Sequence, residues 1–285
     1  MKRIVFCLTL FGLLLSGCRH PKHPELEREV AIFFSTKQMS GSLLKSTASE
    51  EENFIKRVVM FGVDNQNNVV QTFPVRENPP LDGWMLSIPK DIALLYAIAN
   101  PSSALEVANP SNVSDLTALT DDFTNAPVSP FLMGGKASVN AYNVNIELVR
   151  SVAKIEVIGE KGFEVQSVTV KNTPAKGFVF VQPTLTVPSS ERVNYPENNN
   201  TIVYVAENSK QNPTTLIVKG VYAGTIYQVN VSFIMNEALV DIVRNTCYTV
   251  GVGPTGPEDQ NITFTIREWD DIDIDKHYSM NKNNK

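Results

Sequence analysis

Catalysis and metal binding need groups that can hold a proton, a lone pair or a thiolate, and this chain carries few of them. Its 285 residues include three histidines, His20, His23 and His277, and three cysteines, Cys7, Cys18 and Cys247. Two of the histidines sit in a proline-rich stretch near the N-terminus, so a histidine-based metal or proton-transfer site is poorly supplied. No cysteine pair has zinc spacing, and the patterns H-E-x-x-H, G-x-S-x-G and G-x-G-x-x-G and the P-loop are all absent. The acidic run Asp270-Asp271-Ile272-Asp273-Ile274-Asp275 invites a calcium reading, but an EF-hand begun at Asp271 would have Lys276 at its glycine position and Lys282 at its glutamate position. On a strand, Ile272 and Ile274 would share one face and Asp271, Asp273 and Asp275 the other, which suits a charged edge strand. Glu50-Glu51-Glu52 reads as a solvated loop or a first helical turn. The expectation is a protein without enzymatic activity and without a cofactor or a bound metal.

The first eighteen residues read as an address. Lys2 and Arg3 precede an apolar run of twelve residues, Ile4 to Leu15. That is too short for a bilayer span, which takes about 20 residues, and has the proportions of a signal-peptide core. It ends in Leu15-Ser16-Gly17-Cys18, which resembles a bacterial lipobox. The resemblance implies a signal peptide over 1–17, lipidation of Cys18 and a hold on the outer membrane through acyl chains, each buried CH2 contributing about 0.8 kcal/mol. The alternative is an ordinary signal peptide with an incidental cysteine. Cys7 would leave with the leader, so Cys247 would have no disulfide partner. In the strand-like run Asn245 to Val250 it reads as a buried, inert thiol.

The body is suited to strands. Apolar residues make up 42% and charged residues 19%, enough for a packed core. Thirty-three valines, with 26 asparagines, 17 prolines and 15 glycines, favour strands joined by turns over helix bundles. A net charge of −5 with no basic stripe argues against a nucleic-acid partner. After a tether at 18–28, the expected strands are 29–35, 54–63, 69–73, 84–88 and 92–99, with a turn at Asp64-Asn65-Gln66-Asn67-Asn68. Residues 100–130 read as loop with one short helix, and 138–149 alternate. Beyond Arg150, strands are expected at 152–158, 165–170, 178–181, 202–205, 215–218, 227–234, 247–252 and 262–266, with one or two helical turns over 236–244. Strands of this length and spacing predict an all-β antiparallel sandwich. A division near 145–150 gives two domains, 29–146 and 147–285.

Several runs, in order, resemble the Bacteroidales fimbrillins, the FimA-type pilins. The lipobox opens the series. Glu52 to Asp64 (ENFIKRVVMFGVD) is similar to the start of the mature pilin. Leu94 to Asn100 (LLYAIAN) is similar to an apolar strand ending in Asn, and Phe131-Leu132-Met133-Gly134-Gly135 to a Met-Ser/Gly-Gly element. Arg150 to Val157 (RSVAKIEV), Tyr204-Val205-Ala206-Glu207-Asn208 and Arg244-Asn245-Thr246-Cys247-Tyr248 follow, and Trp269 comes after the last long strand. The resemblance extends over nearly the whole chain.

It implies two transthyretin-like β-sandwich domains in a structural subunit, stalk or anchor, of a cell-surface fimbrium that supports adhesion. Its partners would be other fimbrial subunits, the outer membrane through its lipid, and a host or bacterial adhesion receptor. In such pili the first strand is cut away by an Arg-specific protease, and the C-terminal strand of a neighbour fills the groove. The contact is head-to-tail and grows an open filament. Carried over, 29–35 is the removable strand, and the donor is the tail from Arg267 to Asp275, with Trp269, Ile272 and Ile274. The chain departs from the pattern at the processing site. There is no Arg between 36 and 56, which leaves Lys45, in Lys45-Ser46-Thr47-Ala48, or Arg57, inside an expected strand where a cut would damage the fold. The other outcome is that the strand is retained, as would suit a lipid-held anchor. The competing reading is an outer-membrane lipoprotein that binds glycans on a sandwich face, for which only Trp84 and Trp269 could supply indole platforms.

Overall fold

The computed structural model describes residues 27–37, 49–235, 238–254 and 262–268, the last seven and Met235 as backbone alone. The expected signal peptide, Cys18, Lys45, Trp269, Ile272, Ile274 and the acidic run from Asp270 lie outside the described residues. The N-terminal half forms β1 (Glu27–Thr36), β2 (Arg57–Val63), β3 (Val69–Glu77), β4 (Asp82–Pro89), β5 (Leu94–Ala99), β6 (Thr120–Asp122), β7 (Met133–Ser138) and β8 (Asn143–Arg150). The C-terminal half forms β9 (Val152–Gly159), β10 (Glu164–Pro174), β11 (Lys176–Phe178), β12 (Arg192–Asn198) and β13 (Ile202–Ala206). It continues with β14 (Thr215–Tyr222), β15 (Thr225–Ser232), β16 (Ile234–Met235), β17 (Ala238–Leu239), β18 (Cys247–Pro254) and β19 (Ile262–Glu268).

Seven strands of the first half run in the order β3-β2-β5-β7-β8-β1-β4. The β7–β8 link is short, Met133 opposite Arg150 and Gly134 opposite Val149. There the sheet folds over, so that β3-β2-β5-β7 faces β8-β1-β4 across a core. That core holds Val30, Ile32 and Phe34 of β1 with Val58, Met60, Ile88, Leu95, Val144, Ile146 and Leu148. In β8 the pattern is plain: Val144, Ile146 and Leu148 are buried, while Asn143, Asn145 and Glu147 are exposed, as a two-residue period requires. The second half stacks β12-β10-β14-β15 on β13-β9-β18-β19. Ile155, Val157, Val168, Val170, Leu216, Val218, Val231, Val250 and Val252 fill the space between. The chain is thus all-β and folds as two sandwiches. Most pairings are antiparallel, but β1 runs parallel to β8 and β9 parallel to β18.

β2 and β5 are apolar on both faces because each face has something to meet. Their outer residues Val59, Phe61, Val63, Tyr96 and Ile98 form a third cluster with Leu105, Leu116, Phe131, Val152, Val179, Phe180 and Ala206. Leu105 and Leu116 come from α1 (Ser103–Glu106) and α2 (Val113–Thr117). Val179, Phe180 and Ala206 come from the second sandwich, so an apolar layer joins the halves. A short ribbon adds to it, with β6 paired to β11 from Asp122–Lys176 to Thr120–Phe178.

Several expectations change. The run 178–181 is not a strand, because β11 ends at Phe178 and Val179 and Phe180 turn inward to the third cluster. Among the described residues of 236–244 there is no helical turn; Ala238–Leu239 is a strand, and Ile242 bridges Asn208. β12 was not expected. The stretch 100–130 holds two short helices and β6. β1 begins at Glu27, two residues inside the expected tether, and β8 continues to Arg150, leaving only Ser151 between it and β9.

The β14–β15 hairpin turns on two residues, Ala223 and Gly224, at φ 48° and 76°. Both values belong to the left-handed region that this tight hairpin demands and that a Cβ opposes. Replacing Ala223→Asn should therefore raise stability by about 0.5–1 kcal/mol, read as a higher denaturation midpoint with an unchanged denaturant slope.

Candidate functional site

β1 is an interior strand at the start of the described chain, joined to the rest by residues 38–48. On one side it pairs antiparallel with β4, from Glu27–Pro89 to Phe33–Asp82. On the other it pairs parallel with β8, from Ala31–Asn143 to Thr36–Leu148. Further main-chain bonds fix its ends: Ala31 N donates to Tyr142 O at 2.8 Å, Phe34 N to Leu81 O at 3.1 Å and Lys37 N to Leu148 O at 2.7 Å. Its inward residues Val30, Ile32 and Phe34 are buried in the first core, and Trp84 packs at the rim with its ring 6.5 Å from that of Phe34. Ser87 donates to Glu27 at 2.5 Å, and the Arg28 guanidinium donates to Ile92 O. Without β1, β4 and β8 would face each other across a trough with two unpaired rows of main-chain groups and an apolar floor.

The chain re-enters at Ser49 and closes a single 3-10 turn, Glu51–Asn53. Ser49 N donates to Glu52 Oε2 at 2.7 Å, and Glu52 N donates to Ser49 Oγ at 3.2 Å. This reciprocal pair is the one a Ser-x-x-Glu spacing favours. Glu52 is only 5% exposed, so the reading of this triplet as solvated holds for Glu50 and Glu51 and fails for Glu52. Its Oε1 accepts from Tyr204 Oη at 2.5 Å and from Lys154 Nζ at 3.0 Å. Lys154 also reaches Glu156 at 3.0 Å. Arg150 Nε donates to Glu52 O at 2.9 Å, its Nη1 to Asn245 Oδ1 at 2.7 Å, and its Nη2 to Asn53 Oδ1. Thr36 Oγ1, at the end of β1, bonds to the same Asn53 oxygen at 2.9 Å. Burial alone would push the Glu52 carboxyl up. The hydrogen bonds from Tyr204, the Ser49 N–H and Lys154, together with the lysine charge, outweigh it and hold the carboxyl below its usual range. Burial, and then donation to Glu52, pushes the Tyr204 phenol well above its usual range.

The other ordered motifs of the sequence converge on the same region. Asn100, at φ 53°, donates through Nδ2 to Phe54 O at 2.9 Å and to Phe131 O at 2.8 Å, and accepts from Lys56 N at 2.8 Å. A Cβ on Gly134 would lie 2.6 Å from Val179 O, so only glycine lets β7 approach the inward-turning segment. Arg244 and Glu207 form a buried ion pair, and Arg244 also donates to Val179 O at 3.0 Å and Phe178 O at 2.7 Å. These residues position elements and do not assemble a nucleophile, base or oxyanion hole. Among the described residues no group of three or more His, Cys, Asp and Glu side chains could hold a metal ion. Cys247 is buried, and burial pushes its thiol far up, away from the reactive thiolate.

Of the residues singled out in sequence, Arg57 opens β2. It pairs with Glu77 in register and contacts Glu106 at 2.5 Å. Arg267 lies in β19 opposite Thr249, on the edge strand of one sheet of the second sandwich. Lys45, Cys18, Trp269, Ile272 and Ile274 are outside the described residues. Ser49, Glu52 and Asn53 went unrecognised as a junction, although the Ser-x-x-Glu spacing was there to be read.

No family model matches the sequence, and no curated protein aligns with it. Solved structures share the fold. A candidate cell adhesion protein from Bacteroides eggerthii superposes with a TM-score of 0.60 at 13% identity, over 85% of this chain and 95% of that one. A fimbrial assembly protein from Parabacteroides distasonis gives 0.58 at 15% identity, over 85% and 96%. The tip fimbrial protein Mfa3 from Porphyromonas gingivalis, with C-terminal truncation, gives 0.55 at 13% identity, over 85% and 100%. At such identities the likeness is one of fold, and the fold is that of these Bacteroidales fimbrial and adhesion proteins.

The lowered carboxyl of Glu52 makes the junction sensitive to acid. Its contribution to stability is complete above the unfolded-chain value, about 4.3, and is lost as pH falls below that value through the lower folded one. Glu52→Gln should cost about 1–3 kcal/mol at pH 7 and should narrow the gap to the parent as pH falls from about 5 to 3. Denaturant titrations of both proteins across that range check it; a gap that stays constant with pH would remove the assigned role of the charge.

Proposed function

We propose that this chain is a structural subunit, stalk or anchor, of a cell-surface fimbrium, that it joins its neighbours by strand exchange, and that it supports adhesion without being an enzyme. The observation that carries the reading is β1: an interior strand, first in the fold, paired on both edges and tied to the rest by residues 38–48. Burying Val30, Ile32 and Phe34 stabilises the parent fold by roughly 5–9 kcal/mol, at about 1.5–3 kcal/mol for each side chain. A subunit that has lost β1 therefore has a strong thermodynamic drive to take another strand, with main-chain bonds supplying affinity and alternate side chains selecting the sequence.

The proposed donor is the tail of a second copy beyond β19, residues 269–275, because Arg267, expected as its first residue, is paired with Thr249 in its own sheet. Arg267 sits in β19, at the outer edge of the second sandwich, and so roots the tail in its own subunit. Seventeen residues follow Glu268, enough for a strand, and Ile272 and Ile274 stand two apart, as Val30, Ile32 and Phe34 do. Because each subunit would give one strand and take one, the polymer is open and head-to-tail. For processing, Lys45 fits better than Arg57. A cut after Arg57 would strip from β2 the Lys56 and Arg57 main-chain bonds to Asn78 and Asn100. A chain left uncut and lipidated at Cys18 would instead keep β1 and serve as the anchor at the outer membrane. We take the two units as divided at Ser151 and not at 146/147, because that break would cut β8, whose Glu147 and Leu148 pair with β1. The glycan-binding alternative asks for an exposed aromatic platform, whereas Trp84 packs against Phe34 at the core rim.

Deleting residues 269–285 should abolish incorporation into polymers while leaving the monomer's melting curve unchanged. Normal incorporation of that deletion protein would overturn the donor assignment. Mass spectrometry of the mature N-terminus separates the two forms: acylated Cys18 marks the anchor, and a terminus at Ser46 the processed stalk subunit.

A further inference from the structure

A cut upstream of Ser49 creates a problem that the structure has the means to solve. The new chain end would lead directly into β2, and chain ends fray unless tied down. β2 supplies Val58 and Met60 to the core that β1 covers, and Ile55 just before it is buried there too. If residues 49–56 came loose, β2 would be free to peel from β3 and β5, and the trough would lose its shape before a new strand reached it.

We infer that the Ser49–Asn53 turn is a retaining clamp, which fixes that new end to the second sandwich so that β1 can leave alone. The inference rests on the strand-exchange reading above. The turn is closed on itself by the reciprocal Ser49–Glu52 bonds. Glu52 is then gripped from β9 by Lys154 at 3.0 Å and from β13 by Tyr204 at 2.5 Å, and Arg150 at the end of β8 holds its carbonyl at 2.9 Å. None of these three partners belongs to β1. The turn meets β1 at the Thr36–Asn53 bond of 2.9 Å, and loss of that bond leaves the grip on Glu52 intact. Glu52 is a positioning residue: it acts through β2 and does not touch the incoming strand.

The test uses the full chain with a specific protease sequence placed at 46–47, and reads amide hydrogen exchange of Val58 to Val63 before and after cutting, in the parent, Glu52→Gln and Tyr204→Phe. Each protein is compared with its own uncut form, because the stability lost in the variants already speeds exchange at these amides before the cut. After cutting, the parent should stay within about threefold of its own uncut rate, while Glu52→Gln should exchange at least about tenfold faster than its own uncut rate, with Tyr204→Phe in between. Should Glu52→Gln fail to fold, Tyr204→Phe and Lys154→Met carry the comparison. Equal loosening of parent and variants after the cut, or no loosening in any variant, overturns the clamp. Exchange is read on the monomer and polymer formation is scored separately, so an intact clamp in a protein that never polymerises would count against strand exchange and not against the clamp.

Discussion

A strand in the interior of a sheet has two rows of main-chain donors and acceptors, and each row must find a partner. An unmade bond at a buried amide costs about 1–3 kcal/mol, so such a strand cannot be missing without a replacement. β1 is in this position. Its antiparallel partner β4 and its parallel partner β8 have no other means of pairing across the gap it fills. The same strand closes the apolar core with three alternate side chains. The first sandwich is therefore complete only with a strand at this place, but nothing in the pairing requires the strand to be its own. Backbone hydrogen bonding does not identify the residue that makes it; the spacing of the apolar side chains does.

The second constraint is at the junction. Glu52 is an acid in a nearly dry setting, and it is stable there only because Lys154, Tyr204 and Ser49 all meet it. Arg150 shares the task from the last position of β8, reaching Asn245 in the second half and Asn53 in the first. Arg244 and Glu207 do the same for the inward-turning segment behind Gly134. Among the polar residues of the ordered motifs, Glu52, Arg150, Lys154 and Tyr204 link the two halves, while Asn100 ties segments of the first half and Arg244 with Glu207 segments of the second.

How much of this could be read beforehand depended on the kind of signal. β1, β2, β5, β8 and β9 were legible because their apolar residues either alternate or run unbroken between turn residues, and the Asp64–Asn68 turn marked the β2–β3 hairpin. β12 was not legible: Arg192 to Asn198 contains Pro196 and three polar residues between Val193 and Tyr195 and its end, and only burial of Tyr195 in the second core makes it a strand. The run 178–181 has strand composition, yet Val179 and Phe180 are used by the third cluster and Val179 O by Arg244. Tertiary demand overrode local pattern there. The burial of Glu52 was hidden by its two exposed neighbours, since a run of like residues suggests a common fate. The parallel pairing of β1 with β8 has no local signature at all.

That parallel pairing also bears on how the molecule comes to exist. Ala31 lies opposite Asn143, the longest sequence separation of any pairing described, and loops of that length are the slow, entropically costly ones to close. Synthesis proceeds from the N-terminus, so the strand made first must wait until β8 has been made before its second row of hydrogen bonds can form. During that interval the nascent chain carries an unpartnered Val-x-Ile-x-Phe segment, the kind of exposed strand that invites pairing with the wrong chain. Keeping that segment apart while the remainder condenses is a demand that the topology itself makes, and it lasts until Asn143 to Leu148 have been synthesised.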